Sequence, residues 1–355
     1  MKSLEASYEL NLSKINFLER KVKITHPKTI LYGPSNVGKT YLIYDYLSHF
    51  KISEYIYIDF NDSRNNYEDI KNNLDEFLRK NQIKVLVLEN FDFSFEIPYC
   101  DNIIISSDIK KRLKGFKNLT INPLDFEEYI LHDQRHQNIT ISFNNFLKYG
   151  NLPEIINLEE HKKVHRLQEI IKLQSKNTTE YEILNILIEN IDEKKSLFQL
   201  FNALKMKIKV SKDIFYETAK KLQENNTIYF LQKYNQEKAV KKIYCYNHSF
   251  LNAITHNKKF KNEFTNMIFL ELNSKFKELY YLDNIDFYIK SLNQAVVCIP
   301  FFNSILMGSI LKKIIKTAKD NEINEVNIIT ISNNENIKDP NIKINILPFY
   351  EWALS

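Results

Sequence analysis

The sequence predicts an α/β protein: a parallel, helix-covered sheet, then a helical unit closed by a two-stranded ribbon, then a second α/β unit. Three observations predict it. Apolar runs of strand length alternate with stretches of helical period from about residue 20 to 125, which implies a parallel sheet with helices on its faces. Between Glu180 and Asn247 the period becomes helical and ends in two β-type runs around a polar tip. From Asn262 strands and helices alternate again, and 355 residues are more than one ordinary domain holds.

In the first region Lys28 to Tyr32 reads as a short buried strand, and Thr40 to Phe50 as a helix with Leu42, Ile43, Tyr46 and Leu47 at helical spacing. Between them stands Gly33-Pro34-Ser35-Asn36-Val37-Gly38-Lys39-Thr40, a complete G-x-x-x-x-G-K-T phosphate-binding loop, or Walker A motif. The chain has only five glycines, and two of them fall where such a loop turns sharply and passes close to phosphate. Backbone N–H groups of this loop curl around the β-phosphate, and the following helix points its positive end at the same charge. Lys39 is expected at the β- and γ-phosphates, and the Thr40 hydroxyl at Mg²⁺.

Tyr55 to Phe60 reads as the next strand, Tyr67 to Lys80 as a helix, and Ile83 to Leu88 as a buried parallel strand ending in Glu89-Asn90-Phe91-Asp92. Glu89 is the candidate for the metal-side carboxylate. Many ATPases carry a water-polarising glutamate next, and here Asn90 stands there. An amide orients water but cannot accept its proton, so slow hydrolysis relative to binding is expected, with Asp92 as a partial substitute. Asn102 to Ser106 reads as a further strand. Ser106 and Ser107 suit a polar sensor of the γ-phosphate, and equally the cap of a helix over Asp108 to Leu113.

Tyr181 to Asn190, Leu197 to Met206 and Ser211 to Asn226 read as amphipathic helices, the third with Ser211 as N-cap. Thr227 to Leu231 and Ile243 to Tyr246 read as strands around the tip Gln232 to Lys242, and three helices followed by a ribbon outline a winged helix. Lys205, Lys207, Lys209 and Lys212 near the third helix, with Lys238, Lys241 and Lys242 on the ribbon, suit contact with DNA phosphates. A solvated lysine face on a protein-docking module is equally consistent. Further on, Phe264 to Phe276 and Ile310 to Lys319 read as helices. Glu278 to Leu282, Ile285 to Ile289, Ala295 to Ile299, Val326 to Ile331 and Ile342 to Leu347 read as strands.

The net charge of +5 permits a nucleic-acid or acidic-lipid partner without requiring one. Cys100, Cys245 and Cys298 are scattered, which argues against a disulfide frame or zinc site and for reduced, cytoplasmic thiols. The N-terminus has no apolar signal region, and the apolar stretch Val296 to Leu311 is too short and too interrupted to cross a bilayer, so no membrane partner is expected.

On these residues the chain resembles the prokaryotic AAA-type ATPases that join a P-loop domain to a winged helix and a C-terminal PD-(D/E)XK nuclease-like domain. Besides the loop, Ile104-Ile105-Ser106-Ser107 is similar to the sensor strand and Ile121 to Tyr129 to the Pro-Leu-Ser-Phe-x-Glu segment. Tyr149 to Glu154 is similar to the Gly-Gly-x-Pro-Glu turn, and Ser211 to Phe215 to the start of the third winged-helix helix. The resemblance implies a P-loop ATPase domain with a short helical lid over 1–160, a winged helix over 161–257 and a degenerate nuclease-like domain over 258–355. It implies ATP as ligand, in keeping with the lack of an Asn-Lys-x-Asp guanine motif. It also makes Arg112 the candidate for a γ-phosphate arginine, since Lys114 and Lys117 stand in the usual place. In the last region Asp286 matches the first nuclease acid, whereas Cys298 and Pro300 stand where an acid and a lysine belong, and Thr265 replaces a glutamate although Glu271 remains. One carboxylate cannot hold a catalytic metal pair, so no nuclease activity is expected. The combined expectation is a weak Mg²⁺-dependent ATPase whose nucleotide state controls engagement of a DNA or protein partner. The alternative is a nucleotide-independent DNA-binding or protein-docking module with a vestigial loop.

Overall fold

The structure, a computed structural model, describes residues 2–8, 15, 18–133, 138–257 and 259–355. The chain forms two compact units, Met1–Asn122 and Pro123–Ser355. In the first, the elements run α1 (Lys2–Tyr8), β1 (Lys28–Tyr32), α2 (Lys39–Leu47), β2 (Tyr55–Asp59), α3 (Tyr67–Lys80), β3 (Val85–Glu89), β4 (Asn102–Ser106) and β5 (Lys117–Thr120). All five strands are parallel, in the order β2-β3-β4-β1-β5. Their carboxyl ends therefore share one edge, which is where open parallel sheets bind ligands.

The central strands are apolar at nearly every position because both faces are covered. Ile56, Ile58, Leu86 and Leu88 pack with Ile70, Leu74 and Phe77 of α3. That helix starts where Asn66 caps the Asp69 N–H. α1 was not anticipated; Leu4 is fully buried and the Tyr8 ring meets the edge of Phe77. β5 was missed because Lys117-Asn118-Leu119-Thr120 is an edge strand without an apolar run. The helix expected over Asp108 to Leu113 does not form: residues 107–116 contain neither helix nor strand. Ser107 Oγ instead accepts from the Ile109 N–H at 3.1 Å and donates to the Phe91 carbonyl at 2.6 Å, a local turn that competes with a helical start.

The second unit begins with α4 (Phe126–His132), α5 (Ile139–Tyr149), α6 (Pro153–Ile156) and α7 (Glu160–Leu173). Then come α8 (Thr178–Ile188), α9 (Leu197–Lys205), α10 (Lys212–Glu224) and the antiparallel ribbon β6 (Ile228–Leu231) and β7 (Lys242–Cys245). The chain continues through α11 (Phe250–Ile254), α12 (Phe260–Lys275), β8 (Leu279–Leu282), β9 (Ile285–Ile289), β10 (Gln294–Cys298), α13 (Gly308–Asp320), β11 (Glu325–Thr330), β12 (Glu335–Lys338), β13 (Lys343–Pro348) and α14 (Phe349–Ala353). β8, β9 and β10 form an antiparallel meander, and α13 then carries the chain to β11 parallel to β10. The six-stranded order is β12-β13-β11-β10-β9-β8.

The three helices and the ribbon stand where the period placed them, and Ser211 caps α10 by accepting from the Ile214 N–H at 3.3 Å. The ribbon is not a free wing. Its tip is pinned to β8 by Tyr281 N–H to Gln232 O and Tyr234 N–H to Tyr281 O, both 3.0 Å, and Tyr234 packs on Tyr280 and Tyr288. Lys242, expected on the ribbon surface, is buried, with Nζ 2.7 Å from Asp192 and 3.3 Å from Asp286. An ammonium survives out of water only with such partners. Lys238 and Lys241 remain exposed. Glu271 lies elsewhere: its carboxylate accepts from the Phe126 N–H at 2.7 Å, at the first residue of α4.

Gly150 sits at φ 81°, and a Cβ there would run into the buried Asn247 side chain, so only glycine fits this turn. The next residue, His248, is fully buried with Nε2 2.7 Å from the Phe146 carbonyl, and burial pushes its pKa from 6.5 down to about 4. The unfolded chain takes up this proton near pH 6.5 and the folded chain only near 4, so the stabilisation is complete above 6.5 and lost as pH falls through that window. Between pH 7 and pH 5 the unfolding free energy should fall by about 2 kcal/mol from this group, and denaturant titration of His248→Gln should lack that slope. Equal slopes in both proteins would contradict the assignment.

Candidate active site

β1 delivers the chain into Gly33 at φ 146°, where a Cβ would collide with the Ile121 carbonyl oxygen just past β5. Asn36 at φ 64° and Gly38 at φ 94° are also left-handed, so the loop doubles back before α2 starts at Lys39. Pro34 and Val37 are buried and anchor it, while Ser35 is half-buried. Arg20, which the sequence reading did not single out, clamps the loop: Nη1 donates to the Val37 carbonyl at 2.8 Å and Nη2 to the Asn122 carbonyl at 2.9 Å. No motif marks Arg20; its burial at 7% exposure does.

Lys39 Nζ donates to the carbonyls of Gly33 at 2.6 Å and Pro34 at 3.0 Å, and lies 3.8 Å from Asp108. Burial lowers its pKa, with Asp108 and Glu89 pulling the other way. On the next residue the Thr40 hydroxyl donates to one oxygen of Glu89, and the Tyr57 hydroxyl on β2 donates to the other. Burial lifts the Glu89 pKa, and the Thr40 hydrogen bond and the Lys39 charge oppose that rise. Glu89 thus stands against the first turn of α2.

Asn90 has φ 56° and donates from Nδ2 to Asp59 Oδ1 at 2.7 Å. Asp59 ends β2 in register with Glu89 at the end of β3, so the sheet sets two carboxylates side by side. Both reach α2 electrostatically: burial first, then Glu89 and Asp59, push the Tyr44 hydroxyl up to about 12. Asp59 was missed because only the strand order sets the end of its strand beside the acid-bearing one. Asp92 has other work, accepting from the Ser94 N–H at 3.0 Å and from its hydroxyl in a turn.

Ser106 ends β4 in register with Leu31, and its hydroxyl is buried without a hydrogen-bond partner. A hydroxyl this deeply buried leaves a hydrogen bond unmade at the carboxyl edge of the sheet. Arg112 is exposed in the segment after β4, and it is Asp108 of that segment that approaches Lys39. Asp286 accepts from the Cys298 N–H at 2.8 Å as well as from Lys242, so an ammonium already neutralises the one acid matched to a nuclease. Cys100, Cys245 and Cys298 are free and buried. Among the described residues no helix is long and apolar enough to cross a membrane.

No protein-family model matches the chain. It is similar to an uncharacterized protein of Methanocaldococcus jannaschii, 24% identical over a gapped alignment of 412 positions that covers 96% of this chain and 90% of that protein. Among solved structures it is similar to a Walker-type ATPase of Pyrococcus abyssi, at 13% identity and a TM-score of 0.44, over 71% of this chain and 93% of the other.

The loop geometry makes a direct prediction. Gly33→Ala forces the Ile121 carbonyl or the loop to move, and should cost about 1–3 kcal/mol of stability by denaturant titration. A variant as stable as the wild type would show that the loop does not need this backbone.

Proposed function

We propose that the first unit binds ATP with Mg²⁺ on residues 33–40 and hydrolyses it slowly, and that nucleotide state governs how the second unit engages a partner. The observation that carries this reading is the Thr40 hydroxyl hydrogen-bonded to the buried Glu89 carboxylate beside Lys39. Two hard oxygen donors next to a lysine-bearing phosphate loop suit a cation that keeps most of its own water. Thr40 and Glu89 would hold the Mg²⁺, which when bound neutralises phosphate charge.

The remaining chemistry belongs to the chain's own groups. Backbone N–H groups of the loop and Lys39 bind the phosphates, with Lys39 exchanging two carbonyl partners for phosphate oxygens. Ser106 offers its orphan hydroxyl to the γ-phosphate. Asp59, oriented by Asn90, accepts the proton of the attacking water. Placing this base on the neighbouring strand rather than beside Glu89 is consistent with slow turnover.

For the second unit, the α8–α10 helices with the ribbon support a winged helix, and the meander, α13 and β11 support a degenerate PD-(D/E)XK-like domain. The three-part division near residues 160 and 257 belongs to the same proposal. With Lys242 withdrawn, the exposed Lys205, Lys207, Lys209 and Lys212 are the surface offered to a DNA or protein partner.

Phosphate release tests the enzyme reading. Wild type should turn over ATP slowly and only with Mg²⁺, and Lys39→Ala should abolish this. Asp59→Asn should slow it about a hundredfold while ATP still binds. Unchanged turnover in Asp59→Asn would remove Asp59 from the chemistry, and turnover surviving Lys39→Ala would sink the site.

A further inference from the structure

The second unit contains a cleft of about 680 Å³, inside the range typical of small-molecule sites, between the β8–β10 meander and α13. Its charged groups gather together. The ammonium groups of Lys194 and Lys242 sit 5.5 and 5.7 Å from the centre of the same Tyr281 ring, and Lys242 and Lys261 both act on the buried Cys298 thiol. Apart from Asp286 and Asn284 the rest of the lining is apolar, with Val297, Met307 and Ile314 among its walls. At the mouth an exposed Phe301 stacks on Phe260 at 5.7 Å, and Ile310 is 45% exposed.

The charges do not cancel evenly. Asp286 is matched by Lys242 and the Cys298 N–H, and Asp283 outside the lining is matched by Lys194 and Lys233. Lys261 is exposed and, among the described residues, has no carboxylate within ion-pair distance. A divalent cation is disfavoured, because the Lys242 ammonium already lies between Asp192 and Asp286. A nucleic acid strand is disfavoured too, since apolar side chains make up most of the walls and the one unpaired lysine among the described lining residues cannot track a phosphate backbone. What complements an apolar cleft with one free ammonium is one anionic group on an apolar body.

We infer that this cleft binds a small amphiphilic anion, an alkyl or aryl carboxylate, sulfonate or phosphate monoester. Its charged group meets Lys261 and its apolar body lies along Val297 and Ile314. The cleft belongs to the second unit, and the inference does not depend on the reading of the loop at residues 33–40.

The test uses the full chain and the fluorescence of 1-anilinonaphthalene-8-sulfonate, displaced by dodecanoate below its micellar concentration. Dodecyltrimethylammonium serves as the cationic control, and phosphatidylglycerol vesicles as the membrane control. Saturable one-to-one binding is expected, displaced by dodecanoate and not by the cation. Lys261→Gln should weaken it about tenfold, the loss expected for one charge-assisted contact. Ile310→Glu, which puts a negative charge at the mouth, should weaken it as well. Both positions are exposed, so neither variant threatens the fold. Equal displacement by the cation, affinity indifferent to both substitutions, absence of saturable binding, or association with vesicles alone would each overturn the inference.

Discussion

The buried carboxylate of Glu89 is the interaction on which the first unit's arrangement turns. It ends β3, receives a hydroxyl from Thr40 on α2 and another from Tyr57 on β2, and lies close enough to Lys39 to feel its charge. An acid buried this deeply is tolerable only while its oxygens are hydrogen-bonded. Satisfying it fixes where α2 begins relative to the sheet, and so fixes the path of the loop between β1 and α2. The left-handed residues Asn36 and Gly38 follow from that path, as does the tight passage of Gly33 past Ile121. Gly33, Asn36, Gly38 and Asn90 thus place four positive-φ residues at the carboxyl edge of the sheet.

The same edge brings a second carboxylate beside Glu89. Asn90 follows Glu89, and its left-handed backbone brings its amide to Asp59, the residue paired with Glu89 across the β2–β3 ladder. Two carboxylates on adjacent strands thus end at one edge of the sheet, and the Asn90 amide holds one of them. In the second unit a lysine rather than an amide meets the acids. Lys242 arrives from the ribbon and draws Asp192 and Asp286 together around an ammonium, converting what would otherwise be repelling carboxylates into a structural clamp.

Much of this was legible in the sequence because it rests on short-range pattern. The loop residues, Glu89 and the helix Tyr67–Lys80 follow from motif and period, and the Ser211 cap follows from local chemistry. What escaped depends on tertiary partners that no window along the chain contains. Arg20 matters through two carbonyls, one of them 102 residues away, and Lys242 looks like any solvated lysine until its two acids are placed. Asp59 needed the strand order as well as the strand. The Asp108 to Leu113 helix failed for a local reason, the Ser107 hydroxyl turn, which competes on equal terms with the helical start.

The account stands or falls on whether the loop at residues 33–40 holds nucleotide. Calorimetric titration of Mg·ATP into the full chain and into Lys39→Ala tests this most directly. The account predicts one site per chain with micromolar affinity, on the order of −8 kcal/mol, lost in the variant. Absence of heat in the wild type, or equal affinity in both proteins, would contradict it.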